Sequence, residues 1–213
     1  MLIFIFPLIS SLKKSKLSFT DFKEKIGFAI NTYIENIART FNGQLDKIII
    51  APMLGFALLG NYHLGIQVLS LLSIIPTIVM QYTLPQDASG EVRPGLKKAT
   101  VAFSVLLAII GVISAPFLIP FLFPEFIEAV IIIQIMSLAV IPKTVSIMYI
   151  SKFLGMEKSR IVILGSIIYL AIQIPLIYLL ANMYSVEGVV FALVIAEVCQ
   201  AIFYFAVNKN NKN

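Results

Sequence analysis

The sequence contains very few of the residues with which proteins bind metals or form disulfides. Cys199 is the only cysteine in the 213 residues and His63 is the only histidine. A single cysteine excludes an internal disulfide, and these two residues cannot supply a cluster of metal ligands. We therefore expect no metal and no cofactor, with Cys199 packing as a small apolar residue and His63 lying on a surface connection.

Catalytic motifs are equally scarce. A Ser–His–acid arrangement would depend on His63, which falls in a connecting segment, and no glycine-rich phosphate loop of the ATPase type occurs. The sequence therefore predicts that the chain is not an enzyme. A membrane transferase that works with Asp or Glu alone stays open as an alternative.

Charged residues make up only 13% of the chain, against about 25% in soluble proteins. Hydrophobic residues make up 59% and the mean hydropathy is +0.96. The apolar residues come in blocks of about 20, the length that crosses a bilayer as a helix. The basic residues are scattered over short loops, so the net charge of +5 does not indicate nucleic-acid binding. We predict an all-α, polytopic transmembrane helix bundle.

The apolar blocks predict how the chain is organised. Residues 1–10 resemble the end of a preceding transmembrane helix, 11–25 form a basic cytoplasmic loop, 26–208 form a six-helix bundle, and 209–213 form a disordered cytoplasmic tail. The predicted spans are 26–50, 64–84, 99–119, 128–150, 161–181 and 188–207. Pro76 is expected to kink the second span, and prolines 116, 120 and 124 to end the third.

The loop charges predict the orientation. Lys and Arg recur in 11–25, 85–98, 151–160 and the tail, whereas 51–63, 120–127 and 182–187 contain none. By the positive-inside rule the first group is cytoplasmic in a multi-pass cell-membrane protein. Residues 26–50 are polar enough to lie flat at the interface instead. That placement would put two lysine-rich loops on opposite sides, so the pattern favours a crossing helix.

The first predicted span carries a polar stripe, because spacings of 4, 4, 3 and 4 residues confine five side chains to an arc of roughly 80°. These residues are Asn31, Glu35, Arg39, Asn42 and Asp46. An Arg or Asp at the membrane centre costs about 2.5–3.5 kcal/mol, so the stripe should face protein or water. Two interpretations stay open: Glu35 and Arg39 neutralise each other along the helix, or the stripe lines a translocation pathway.

Two further charges lie inside predicted spans. Lys143 follows Pro142 about two turns from the cytoplasmic end of the fourth span, and it either reaches toward that surface or provides a cation for a phosphate. Glu197 is central in the sixth span and serves either as a bundle contact or as a proton or cation site. Residues Gln134, Gln173 and Gln200 are expected to form interhelical hydrogen bonds.

Four stretches together resemble a known transporter family. The run FNGQLDKIIIAPMLGFALLGNYHLGIQVLSLLSIIPTIV, with Asp46, Lys47, Gly60 and Gly65, resembles the seventh-to-eighth helix region of Wzx-like polysaccharide flippases. They belong to the multidrug/oligosaccharidyl-lipid/polysaccharide exporter superfamily. The later stretches IPFLFPEFIEAVIIIQIMSLAVIP, SKFLGMEKSRIVILG and YSVEGVVFALVIAEVCQAIFYF resemble the ninth-to-tenth helix connection, the loop after the tenth helix and the last helix.

The resemblance implies a function and partners. Members have about twelve spans in two six-helix lobes around a central cavity, and they move polyprenyl-diphosphate-linked sugars across the membrane without ATP. This chain corresponds to the second lobe, which implies membrane lipids, a lipid-linked oligosaccharide and a missing six-helix lobe as partners. The alternatives are half of an H⁺- or Na⁺-coupled multidrug exporter, and a truncated fragment that does not transport and in which every charge serves helix packing.

The resemblance and the chemistry together assign candidate residues. A diphosphate needs cations, and sugar hydroxyls need amides and carboxylates. The candidates are Arg39 and Lys143 for the diphosphate, Asn31, Asn42 and Asp46 for the sugar or cavity water, and Glu35 and Glu197 for ion coupling.

Overall fold

The computed structural model describes residues 45–210, together with Ile26, Ile30 and Tyr33, which are helical and exposed. Over these residues the chain is all-α, as predicted. The helices are α1 (Leu45–Leu54), α2 (Phe56–Leu72), α3 (Ile74–Ala88), α4 (Pro94–Leu122), α5 (Ala129–Gly155) and α6 (Ser159–Asn210), with a 3₁₀ turn at Pro124–Phe126.

Helices α4, α5 and α6 are each long and apolar enough to cross a membrane. Helices α2 and α3 meet the same test as a pair that is bent by 45°. The described residues therefore contain three candidate spans, or four if the bent pair is one span. The prediction of six spans stays a prediction, and most of its first span, 26–50, lies outside the described residues.

Helix α6 is a hairpin with two arms. Its 52 residues would extend about 78 Å if straight, which is more than twice the hydrocarbon thickness of a bilayer. The backbone leaves helical geometry at Tyr184 and Ser185, where Ser185 has φ 55°. Beyond this break the chain returns along the first arm, so that the Tyr204 hydroxyl donates to the Val162 carbonyl oxygen at 3.1 Å.

The predicted connection at 51–63 differs from the structure, whereas the predicted kink at Pro76 is present as the 45° bend between α2 and α3. The segment 51–63 was predicted as a connection, but it is helical except at Gly55, whose φ of 85° is readily adopted only by glycine. Helix α2 ends at Leu72 because Pro76 has no N–H and its ring crowds the Leu72 carbonyl. The helix therefore breaks at Ser73, one turn before the proline itself.

The prediction that Pro116 and Pro120 end a helix was wrong. Helix α4 passes through both and stops at Leu122, just before Pro124. Prolines are tolerated inside transmembrane helices where neighbouring groups satisfy the freed backbone carbonyls. Here Gln134 of α5 donates its amide to the Val112 carbonyl at 3.1 Å, which is the carbonyl that Pro116 leaves without its helical partner.

Helix α5 is the centre of the bundle and packs against α2, α3, α4 and α6. Close approach depends on small residues on its neighbours. Gly65 of α2 lies against Met136 and Ile132, and Gly111 of α4 lies against Ser137. Because α5 is surrounded on several sides, polar side chains on it face protein rather than lipid.

Candidate functional site

Lys143 lies near the middle of the central helix. It is 14 residues from the beginning of α5 and 12 from its end, or about 21 Å and 18 Å along the axis. The sequence placed it only two turns from the helix end, but α5 continues to Gly155. The side chain is half-buried. At more than three turns from either end, the ammonium does not readily reach the membrane surface.

Glu197 is on the second arm of α6, with only 8% of its surface exposed. The positive charge of Lys143 acts on its carboxylate. In the part of the chain that the structure describes, no hydrogen bond or ion pair joins either side chain to another group. The structure thus brings two of the predicted residues close enough to interact electrostatically, one from α5 and one from α6.

Gln173 lies at the same level of the hairpin as Glu197. The ring of Tyr204 occupies the space beside Gly165. Gln173 lies about two helical turns from Gly165 on the first arm, and Glu197 lies about two helical turns from Tyr204 on the second, both in the direction of the Tyr184–Ser185 break. Gln173 is 1% exposed and its Nε2 has no hydrogen-bond partner among the described residues, although buried amides are nearly always paired. Gln173 was predicted to form an interhelical hydrogen bond, and its Nε2 forms none with any of the described residues.

Ser146 adds a second buried group with unused hydrogen-bonding capacity. It is three residues after Lys143, hence on the same side of α5, and its buried hydroxyl has no partner within residues 45–210. The centre of the bundle therefore contains one basic side chain, one acidic side chain, and two neutral groups that can still form hydrogen bonds.

This site is suited to an anionic ligand. The Lys143 ammonium is a point charge that attracts carboxylates and phosphates alike, so a phosphate at this position would compete with Glu197 for it. A metal ion is disfavoured beside a lysine. In residues 45–210 no group of three or more His, Cys, Asp or Glu side chains is arranged to hold one.

The other predicted site residues cannot be placed in this arrangement. Asn31, Glu35, Arg39 and Asn42 lie outside the described residues. Asp46 belongs to α1, but its side chain also lies outside the description. The polar stripe of the first predicted span therefore stays a prediction.

Sequence reasoning missed a polar cluster at one end of the bundle. Asp87, 4% exposed, forms an ion pair with Lys97 and accepts a hydrogen bond from Ser151 at 2.7 Å. The hydroxyls of Thr83 and Ser151 lie 2.9 Å apart. The sequence placed Asp87 in the polar loop 85–98, whereas α3 continues to Ala88. The cluster joins α3, α4 and α5, and the i, i+4 spacing of Thr83 and Asp87 is the signal that could have revealed it.

A comparison with protein families gave one match. The family model described as polysaccharide biosynthesis protein matches residues 1–124, which include α1 to α4. The comparisons with curated proteins and with solved structures gave no match. Lys143 and Glu197 lie beyond the matched residues, so their roles depend on the geometry described above.

Proposed function

Because the chain belongs to the polysaccharide biosynthesis protein family, we propose that it moves polyprenyl-diphosphate-linked oligosaccharide across the cytoplasmic membrane. Such a substrate has three chemically different parts. The diphosphate needs a cation, the sugar needs hydrogen-bonding groups, and the polyprenyl chain can remain in lipid. The proposed role is transport without enzymatic chemistry.

The observation that carries the proposal is a lysine in the interior of a membrane helix bundle. Ionisable residues at this depth are rare and generally line a substrate or ion pathway. The positive charge of Lys143 acts on the Glu197 carboxylate, but the two side chains form no direct ion pair in the described part of the chain. We assign Lys143 as a ligand of the diphosphate. We assign Glu197 as the internal anion that interacts with Lys143 when no substrate is bound.

Lys143 also favours this substrate over a cationic drug. A carboxylate binds Na⁺ or a cationic drug less tightly when another positive charge lies nearby, because like charges repel. Here the charge that acts on the buried carboxylate of Glu197 is positive. The site is therefore better matched to an anionic ligand than to a cation.

Residues of the first predicted span complete the proposal. Arg39 is expected to share the diphosphate with Lys143, while Asn31, Asn42 and Asp46 contact the sugar or cavity water and Glu35 takes part in ion coupling. Alternating access requires two bundles that rock against each other around a central site. We therefore propose that this bundle works with a second six-helix bundle, with the basic loops facing the cytoplasm.

Replacing Lys143 tests the proposal. Lys143→Met keeps the aliphatic stem and removes the charge, and Lys98→Met removes an exposed lysine near the end of the bundle. Each variant is expressed in a strain that lacks its own flippase, and surface polysaccharide is measured alongside the amount of inserted protein. We expect Lys98→Met to restore export and Lys143→Met to fail. Full export by Lys143→Met at normal protein levels would refute the assignment.

A further inference from the structure

An open cavity of about 360 Å³ lies at the end of the bundle where the α6 hairpin turns. It is formed by the turn of the hairpin, the beginning of α5 and the beginning of α2. Its lining includes Asn61, Glu128, Ile131, Tyr184, Ser185 and Glu187. The mechanism proposed above, which depends on Lys143 and Glu197, uses none of them.

The hairpin turn gives the cavity its shape. Ser185 has a left-handed backbone conformation, with φ 55°. Gly188 follows closely and lies directly against the Leu180 carbonyl, where a larger residue would force the arms apart. Tyr184 and Glu187, on either side of Ser185, line the cavity together with residues at the beginnings of α2 and α5.

The polar groups of the cavity include both donors and acceptors. Asn61 is 7% exposed, and its Nδ2 donates to Glu128 Oε2 at 3.3 Å. This bond fixes the orientation of both side chains and leaves Asn61 Oδ1 and Glu128 Oε1 available to a ligand. Glu187 adds a second carboxylate, and Ser185 and Tyr184 add hydroxyls.

This lining excludes some ligands and fits one class well. Among the described residues that line it there are two carboxylates and no Lys, Arg or His, so it repels phosphate. A single metal ion would fill little of it, since even a water molecule occupies only about 30 Å³. Carboxylate and amide groups that bond hydroxyls, next to the Tyr184 ring and the apolar Ile131, match the mixed surface of a sugar.

We propose that this cavity binds a neutral, hydroxyl-rich saccharide. The inference rests on the proposed function, because it takes the ligand to be the sugar part of the lipid-linked oligosaccharide. Helix α5 is about 40 Å long and separates the cavity from Lys152 and the basic loop that follows. In the proposed orientation the cavity therefore faces away from the cytoplasm. On that side it receives the sugar after the substrate has crossed the membrane.

The absence of tryptophan from the chain makes a direct test practical. Tyr184→Trp places the variant's single tryptophan in the cavity, where its emission is separable from that of the remaining tyrosines. Tyr82→Trp is a matched control, because Tyr82 is 52% exposed and Tyr184 is 53% exposed, but Tyr82 does not line the cavity. The purified full chain in detergent is titrated with maltose, chitobiose, calcium chloride and sodium diphosphate.

We expect a saturable change in the tryptophan emission of the Tyr184→Trp variant with at least one saccharide, and none with diphosphate or in the Tyr82→Trp control. Adding Glu128→Gln and Glu187→Gln should weaken the saccharide response by about tenfold or more, because charge-assisted hydrogen bonds are lost. Saturation-transfer NMR on the unsubstituted chain, with the same two saccharides, shows whether the introduced indole itself interferes.

Three outcomes would overturn the inference: no saccharide contact in either measurement, a response to calcium alone, or equal responses from both tryptophan variants. These outcomes are independent of the proposed function, because the Lys143→Met export assay does not involve the cavity. Normal export without saccharide binding would refute only the inference that the cavity binds a saccharide. Saccharide binding with no loss of export in Lys143→Met would refute only the assignment of Lys143 as a ligand of the diphosphate.

Discussion

Removing the charge of Lys143 should destabilise the bundle through Glu197. The Glu197 carboxylate is 8% exposed, and the Lys143 ammonium is the charge that compensates it. Removing one partner of a buried ion pair typically costs about 3–5 kcal/mol. Lys143 is only half-buried and forms no direct ion pair with Glu197 among the described residues, so we expect a smaller loss for Lys143→Met, about 2–3 kcal/mol in the free energy of unfolding.

The double variant separates this electrostatic effect from ordinary packing. Glu197→Gln alone should cost about 1 kcal/mol, because Lys143 can keep part of its hydration. Lys143→Met combined with Glu197→Gln should be more stable than Lys143→Met alone, because we expect a coupling energy of about 2 kcal/mol, which exceeds the cost of Glu197→Gln. Unfolding in mixed detergent micelles, followed by circular dichroism, measures all four proteins, and Lys98→Met serves as the neutral control.

Strict additivity would refute this reasoning. If the two substitutions lower stability independently, the charges of Lys143 and Glu197 do not act on each other in the folded bundle. The case for Lys143 as an anion ligand held in place by Glu197 would then be lost, even if the helices are arranged as described.

The remaining predictions concern packing. Gly165→Ala should lower the free energy of unfolding by about 1–3 kcal/mol, because the buried Tyr204 ring occupies the space of the new methyl group. Gly95→Ala meets nothing within 4 Å among the described residues and should be neutral or slightly stabilising, so equal losses at the two positions would contradict the hairpin contact. Asp87→Asn should cost about 3 kcal/mol by leaving Lys97 without its anion, and an unchanged thermal midpoint would show that the pair contributes nothing.

The sequence indicates which charged residues lie within apolar runs, but it does not indicate which of them come close to each other in the folded chain. Lys143 and Glu197 stand out because they interrupt apolar runs. Their proximity depends on how α6 folds back and packs against α5, which spacing along one helix does not reveal. The predicted turn at 182–187 contains the break at Tyr184 and Ser185, but nothing in its composition indicates a cavity beside it.

The misplacement of Asp87 and of the proline breaks has a common physical cause. Proline, glycine and charged residues indicate loops in soluble proteins, where water satisfies a freed backbone carbonyl. In a helix bundle a neighbouring side chain can satisfy it instead, as Gln134 does at Val112. Helices therefore continue through residues such as Pro85 and Pro116, which the sequence alone marks as interruptions.

The most direct test of the central claim measures binding of a polyprenyl diphosphate to the purified chain. Native mass spectrometry in detergent compares the unsubstituted protein with Lys143→Met and Glu197→Gln. The account predicts weaker binding for Lys143→Met and tighter binding for Glu197→Gln, because the latter removes the anion that competes for the lysine. Equal binding by all three proteins, or weaker binding by Glu197→Gln, would contradict it.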